Sequence, residues 1–424
     1  MASWTDDAES LSELVEVDRF GDRIHLWLAA ATLITLPMNG WIAGLTLVPL
    51  FAWSSLRTLF WRKYLPTGPG EVLFPAIAWL GFLAISLTWS PDFNEGWHQL
   101  WSQRWLLVVP MLWPLMDRWR LLLVFILLGC LAGTSLQTVQ GFREWSDPQN
   151  VTISGFNNHP RTVAVWSSGA VVGVLGLYLA GTLRHWTWLL ACIPPILAIV
   201  LSGSRGGLLA VMIAVPATLG IMLLTGFTSK RRFLGVLLVG VIGVAGLLTF
   251  QNRIVPQFQK AVASGVAVIA DEQASDIRIV WWRSCLRQWR NHPVTGYGLG
   301  GTATALAADP LLLQDDGLAP HQMEIAVFNQ PHSVYFQVLL EGGLVGVLLL
   351  TVLLGALIRV GLQRARSSPL GAIGVGCVIV WMVTAAFDAW HTQPQTLAFL
   401  WIAALFCAFD PTWASTADEE PWDG

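Results

Sequence analysis

Arg278, Arg205 and His332 are the residues of this chain whose type and setting could carry chemistry. The stretch from Ser275 to Pro293 reads as a helix, with Ser275 as N-cap, Asp276 in the first turn and Pro293 beyond the end. At about 100° per residue, Arg283, Arg287 and Arg290 fall on one stripe, and Trp281, Trp282, Cys285 and Trp289 on the opposite face. The stripe reads as a solvated or headgroup-facing surface. Arg278 falls among the apolar residues. An arginine on a buried face must meet an anion or other acceptors to offset its desolvation, so Arg278 reads as an anion ligand, with a structural ion pair as the alternative.

Arg205 lies in Ser202-Gly-Ser-Arg205-Gly-Gly207, which separates two apolar runs. The glycines allow a sharp turn and a close approach to a ligand, and the start of the following helix adds free N–H groups and a positive dipole end. A further positive charge there is poor stabilisation and a good anion site, although an arginine reaching up to the headgroups would look the same. His332 opens another apolar run, in Pro331-His332-Ser333-Val334-Tyr335. A helix N-terminus disfavours imidazolium, so the ring is expected to be neutral and able to take a proton, unless it serves only as a polar anchor.

Other polar residues make weaker claims. Asp388 ends the eleventh apolar run and His391 follows it; either could orient His332, bind a hydroxyl or face water. Arg161 begins the sixth run, and His321 in the long loop is a fallback base. Glu341, nine residues beyond His332, is on the other face of the same helix and is expected to pack against another polar group. Pro293-Val-Thr-Gly296-Tyr-Gly298-Leu-Gly300-Gly301 reads as a tight turn. With no strand before it and no lysine after it, neither a dinucleotide fingerprint nor a P-loop is supported.

The elements that must position these residues are membrane helices. Of 424 residues, 54% are hydrophobic and 12% charged, with a mean hydropathy of +0.57; soluble domains carry about 25% charge. That excludes an ordinary cytosolic enzyme. The 24 tryptophans suit many crossings with indoles at the headgroups. Acids concentrate at the ends, seven in residues 1–23 and five in 410–424, leaving 15 acids against 22 bases between them. A basic body favours an anionic partner, and nothing points to nucleic acid. Only Cys285 lies outside the apolar runs, and no spacing suggests a disulfide or a cysteine-bound metal.

The fold class expected is an all-α polytopic membrane protein of about twelve transmembrane helices with one long, partly helical periplasmic loop. Apolar runs lie near 24–37, 39–56, 71–89, 104–116, 120–139, 161–181, 186–202, 206–226, 233–251, 332–358, 369–389 and 393–409. Those at 24 and 104 are shorter than the roughly 17–25 residues of a full span. Fourteen bases fall in short loops on the N-terminal side against four, Arg104, Arg143, Arg161 and Arg205, on the other. The positive-inside rule then makes both termini cytoplasmic. The domains follow: an acidic cytoplasmic tail at 1–23, helices one to nine over 24–251, a periplasmic loop at 252–331, helices ten to twelve over 332–409, and an acidic cytoplasmic tail at 410–424.

These pieces together resemble the O-antigen ligase family, which shares features with bacterial O-antigen polymerases. The resemblance lies in Ser-Gly-Ser-Arg205-Gly-Gly, Asp276-Ile-Arg278 with Trp282, Pro293-Val-Thr-Gly-Tyr-Gly-Leu-Gly, His332-Ser-Val-Tyr335 and Glu341-Gly-Gly-Leu-Val-Gly, in that order over residues 200–360. The family commonly has Asn after this His, where the chain has Ser333. The resemblance implies a membrane glycosyltransferase of the bacterial inner membrane, its active site facing the periplasm. It would move a glycan from undecaprenyl diphosphate to an acceptor hydroxyl, most directly on lipid A-core. The partners implied are that donor, a lipid A-core or other glycan acceptor, and membrane lipids. Arg205 and Arg278 would hold the diphosphate and His332 would act as general base, with Asp388, His391, Arg161, Tyr335 and His321 in support. The diphosphate leaves readily, so no metal and no cofactor is called for. A polymerase or a protein O-oligosaccharide ligase would use the same residues. A secondary transporter or lipid-linked glycan flippase is the alternative of another class, although transporters usually place their ionisable groups near the midplane.

Overall fold

The computed structural model describes residues 13, 17–38, 40–61, 69–145, 160–183, 185–202, 204–236, 238, 240, 277–312, 331–387 and 394–409. Among these, the regular elements are all helical. Six helical stretches are long and apolar enough to cross a membrane: Gly40–Phe60, Gly70–Trp89, Phe93–Arg143, Thr162–Leu179, Gly206–Leu224 and Val334–Arg364. Trp186–Leu201, Pro369–Ala385 and Gln395–Ala408 are shorter apolar helices. The protein is therefore a polytopic membrane protein, as its composition demands.

In chain order, α1 is Arg19–Thr35, α2 Gly40–Phe60, α3 Gly70–Ser86 and α4 Phe93–Ser102. The long stretch from Phe93 is not one straight rod. After α4 it passes through a 3-10 turn at Gln103–Leu107, the short α5 at Val108–Leu112 and a second 3-10 turn at Trp113–Arg118. Pro110 and Pro114 remove helix donors here. Irregular backbone at membrane depth must be enclosed by protein, and Trp105, Val109, Leu112, Trp113 and Leu115 are accordingly buried. The short run expected at 104–116 is thus a broken, enclosed segment.

Then follow α6 (Trp119–Trp145), α7 (Pro160–Leu179), α8 (Ile193–Leu201) and α9 (Arg205–Leu224). After them come α10 (Ile277–Trp289), α11 (Thr302–Ala307), α12 (Val334–Arg364), α13 (Pro369–Ala385) and α14 (Pro394–Ala408). Helix α13 is apolar on every side, and such a helix must be buried. It packs against α7, α9, α12 and α14, with Val378, Val380 and Trp381 enclosed. Helices α2 and α9 instead turn Leu45, Val48, Met212 and Leu224 outward.

The helices share two ends. Ala164, near the start of α7, lies where a Cβ on Gly207 of α9 would be 2.7 Å from it, and a Cβ on Gly206 would meet Phe387, just past α13, at 3.4 Å. The Tyr335 hydroxyl at the start of α12 donates to the Met382 carbonyl of α13 at 2.8 Å. The starts of α7, α9 and α12 and the finish of α13 therefore meet at one end. At the other end Trp119 packs on Phe409, ring centres 5.8 Å apart. Helices α10 and α11 add a small core of their own, in which Val280, Trp281, Cys285, Leu306 and Leu312 close over Leu340 of α12.

Candidate active site

The glycine loop goes further than a turn. Helix α12 breaks at Gly343, whose φ is +59°. A broken helix leaves backbone groups that need partners inside a membrane, and residues 293–298 supply them. The amides of Tyr297 and Gly298 donate to the carbonyls of Leu340 and Glu341, both at 2.9 Å. In return, the amides of Leu344 and Val345 donate to the carbonyls of Pro293 and Val294 at 2.9 and 3.1 Å. Gly296 explains why the loop needs glycine. Its φ is +66°, and a Cβ there would stand 2.4 Å from the Glu341 backbone. The loop is a plug set into the break.

Helix α10 leads into this plug and is fastened again further out. The Trp282 indole donates to the Pro331 carbonyl at 2.9 Å and stacks on Phe336, centres 5.1 Å apart and planes 14° from parallel. Trp281, which is buried, packs on the His332 ring with centres 5.1 Å apart. The expected faces of α10 hold: Arg283 and Arg290 are exposed, while Arg278 is half-buried on the side of the two indoles, one turn before them. Arg287 departs from the solvated stripe, because it pairs with the buried Asp309 at 2.6 Å. Ser275 and Asp276, the expected cap and first turn, lie outside the described residues.

His332 does not open the helix. Ser333 is the N-cap of α12, and His332 stands before it with φ +48°, the one described non-glycine residue with a positive φ. Such a conformation costs a β-carbon residue about 1–2 kcal/mol. It turns the ring back onto Trp281. Strain of this kind persists where the surroundings over-determine it, and clusters at functional sites.

Arg205 is the first residue of α9, with Ser204 as N-cap accepting from the Gly207 amide at 3.2 Å. Arg161 is in the first turn of α7. Through the contacts of Gly207 with Ala164, Gly206 with Phe387 and Tyr335 with Met382, both helix starts stand at the end of the bundle that carries His332. The Tyr335 hydroxyl donates to the Met382 carbonyl and so ties the start of α12 to α13. Asp388, His391 and His321 lie outside the described residues.

Glu341 has the polar company expected of it. Its carboxylate accepts from the Thr302 hydroxyl at 2.7 Å, from Gln99 at 3.3 Å and from Gln337 at 3.4 Å. Neither Gln99 nor the helix that carries it is evident from the apolar runs of the sequence. Helix α4 has Phe93, Trp97 and Trp101 exposed along one side and Gly96, Gln99 and Ser102 buried on the other. A Cβ on Gly96 would lie 2.3 Å from the Leu299 carbonyl, and Ser90 donates to the same oxygen at 2.6 Å. The i, i+4, i+8 aromatic spacing and the Asp92 cap were the signals available.

Burial pushes the Cys285 thiol up, so this loop cysteine is inert rather than reactive. Around Asp309, burial works the other way from its partners. Hydrogen bonds from the Arg287 guanidinium and the Leu311 amide, with the Arg287 charge, outweigh it and hold the carboxyl below its ordinary value.

No curated protein matches the chain. A family model described as O-Antigen ligase matches residues 190–351. The match runs from before α8 to the middle of α12 and so takes in the Arg205 helix start, α10, the glycine plug, His332 and the break at Gly343. Residues 190–351, which carry most of this end of the bundle, are thus similar to an O-antigen ligase domain.

Proposed function

We propose that the protein transfers a glycan from undecaprenyl diphosphate to an acceptor hydroxyl, most directly on lipid A-core, at the periplasmic face of the bacterial inner membrane. In this reading the chain makes about twelve passes, both termini are cytoplasmic, and residues 252–331 form the periplasmic loop. One observation carries it. Helix α10 packs Trp281 on His332, with half-buried Arg278 one turn earlier, at the end where Arg205 starts α9.

The chemistry follows from the residue types. The acceptor oxygen bonds to the anomeric carbon, the bond from that carbon to the diphosphate oxygen breaks, and the hydroxyl proton passes to the His332 imidazole. Undecaprenyl diphosphate departs with the bonding pair. Fixed guanidinium groups at Arg205 and Arg278 stabilise the charge that grows on the diphosphate. General-base assistance is worth roughly 10²–10⁴ in rate. A competent leaving group and two cations make a metal unnecessary, so transfer is expected to survive excess chelator.

The test is donor binding alongside single-turnover transfer with a purified lipid-linked donor. Arg205→Ala and Arg278→Ala should weaken both, and lysine should rescue incompletely because a point charge lacks the guanidinium fork. His332→Ala should lose most transfer and keep donor affinity. Normal transfer by His332→Ala would move the base to His321, Asp388 or His391. Normal binding and transfer by both arginine variants would take the diphosphate away from Arg205 and Arg278, whereas a wild type that binds the donor and transfers nothing would end the glycosyltransferase reading in favour of transport.

A further inference from the structure

We propose that Glu341 is a positioning residue, whose buried carboxylate ties α4 and α11 to the break in α12 and so holds α10, with Arg278, against His332. The proposal deepens the transfer reading and rests on it.

Glu341 is 3% exposed, and its partners come from three elements. Thr302 is the first residue of α11, Gln99 belongs to α4, and Gln337 is one turn earlier in α12. An ionised carboxylate is acceptor-only, with room for about four hydrogen bonds. It can therefore gather donors from several directions at once, which a shorter or apolar side chain cannot. The backbone of the same residue is already committed, since its carbonyl accepts the Gly298 amide. Side chain and main chain thus fix the plug at the same point.

The loop has two fastenings. The outer one is Trp281 and Trp282 on residues 331–336, and the inner one is the plug with Glu341. Helix α10 ends at Trp289, and Pro293 already belongs to the plug. With so few residues between them, slack at the inner fastening reaches α10 directly. A misplacement of about 1 Å at reacting groups can cost roughly 10²-fold in rate.

Cys285 offers a readout that does not depend on activity. It is fully buried between α10 and Leu340. Labelling with a membrane-impermeant maleimide, resolved by peptide mass spectrometry, would be measured beside single-turnover transfer in membrane-inserted full-length protein. Glu341→Ala should raise labelling at Cys285 at least tenfold and lower transfer about 10- to 100-fold. The buried Cys130, Cys192, Cys377 and Cys407 should stay protected, which shows that the bundle is intact. Glu341→Gln should stay within about threefold of wild type in both, because an amide still accepts from Thr302 and can donate to Gln99.

Should Glu341→Ala fail to insert, Thr302→Val removes only the 2.7 Å bond and should shift both readouts in the same direction by a smaller factor. The proposal is overturned if Glu341→Ala or Thr302→Val leaves Cys285 protected, or exposes it without loss of transfer. It is also overturned if Glu341→Gln is as damaging as alanine, since the charge itself would then be required. A wild type that exposes no Cys285 and transfers nothing sinks the transfer reading, whereas labelling that follows Glu341 still reports the fastening.

Discussion

The Trp282 indole donates to the Pro331 carbonyl at 2.9 Å, so α10 is fastened to the residue immediately before His332. The same ring stacks on Phe336 in the first turn of α12. Substitution can separate the two contacts. Trp282→Phe keeps a stacking ring and loses a hydrogen bond worth about 1 kcal/mol, so transfer should fall several-fold. Trp282→Ala loses both and should cost more than tenfold. Rates in folded, membrane-inserted protein decide the matter, and a wild-type rate for Trp282→Ala would mean that this fastening does not position the site.

Gly343 and Gly355 make a matched pair within α12. At Gly343 φ is +59° and a Cβ would stand 2.4 Å from the Val294 carbonyl, whereas at Gly355 nothing lies within 4 Å. Gly343→Ala therefore suffers both the cost of a backbone conformation open essentially only to glycine (φ +59°, ψ −156°), about 1–3 kcal/mol, and an overlap with backbone that cannot swing aside. Gly355→Ala should be neutral or stabilising by up to about 1 kcal/mol, as for an open helical glycine. Thermal melting in detergent would compare them. Equal melting temperatures would contradict a plug seated in the helix break.

What could be read from the sequence divides along the same line between local and non-local causes. The apolar runs and the amphipathic face of α10 are properties of neighbouring residues, and among the described residues they lie within a few positions of where the pattern puts them; the run at 233–251 falls largely outside those residues. Helix α12 starts two residues later than the polar pattern suggests, because His332 takes a positive φ and Ser333 holds the N-cap position, and backbone angles are not legible in residue polarity. The plug could not be read at all. Its hydrogen bonds join residues 293–298 to 340–345, and a single sequence carries no signal for that pairing beyond glycines at 296, 298 and 343. Gln99 meets Glu341 across 242 positions, and a single sequence carries no signal for a pairing at that separation.

Acid should loosen the loop before the bundle. The Asp309 carboxyl sits below its ordinary value because its hydrogen bonds from Arg287 and the Leu311 amide, with the Arg287 charge, outweigh burial. A depressed carboxyl contributes stability that is present above the unfolded value, near 3.9, and is lost as pH falls through the folded value. Hydrogen-exchange protection over residues 277–312, taken relative to the intrinsic exchange rate at each pH, should therefore fall as the pH is lowered from 5 toward about 3. Asp309→Asn should remove that dependence while lowering protection at neutral pH. Protection that is flat with pH in the wild type would show that the pair does not hold α10 to α11.

The most stringent stability test lies at the opposite end of the bundle. Arg57 of α2, 3% exposed, donates from Nε to Asp18 at 3.0 Å and from Nη1 to the His25 Nδ1 at 2.9 Å, and lies 3.7 Å from Asp22. The other ring nitrogen of His25 reaches the Met111 carbonyl at 2.8 Å. A carbonyl only accepts, so His25 carries its proton on Nε2 and receives Arg57 on Nδ1. Asp22 is also paired with Arg118. This cluster joins α1 and α2 to the broken segment 103–118 through Met111 and Arg118. Arg57→Met removes one partner and strands Asp18 in partly buried surroundings, and breaking a buried pair in this way costs about 3–5 kcal/mol. His25→Leu leaves only the Met111 carbonyl and the Arg57 Nη1 without their bond, about 1–3 kcal/mol. Arg57→Met should thus melt lowest, His25→Leu between it and wild type. Transfer per folded molecule should be unchanged in both, because the cluster is at the far end from His332. Wild-type melting of Arg57→Met would show that the network is not structural, and a well-folded Arg57→Met without transfer would show that the two ends are coupled.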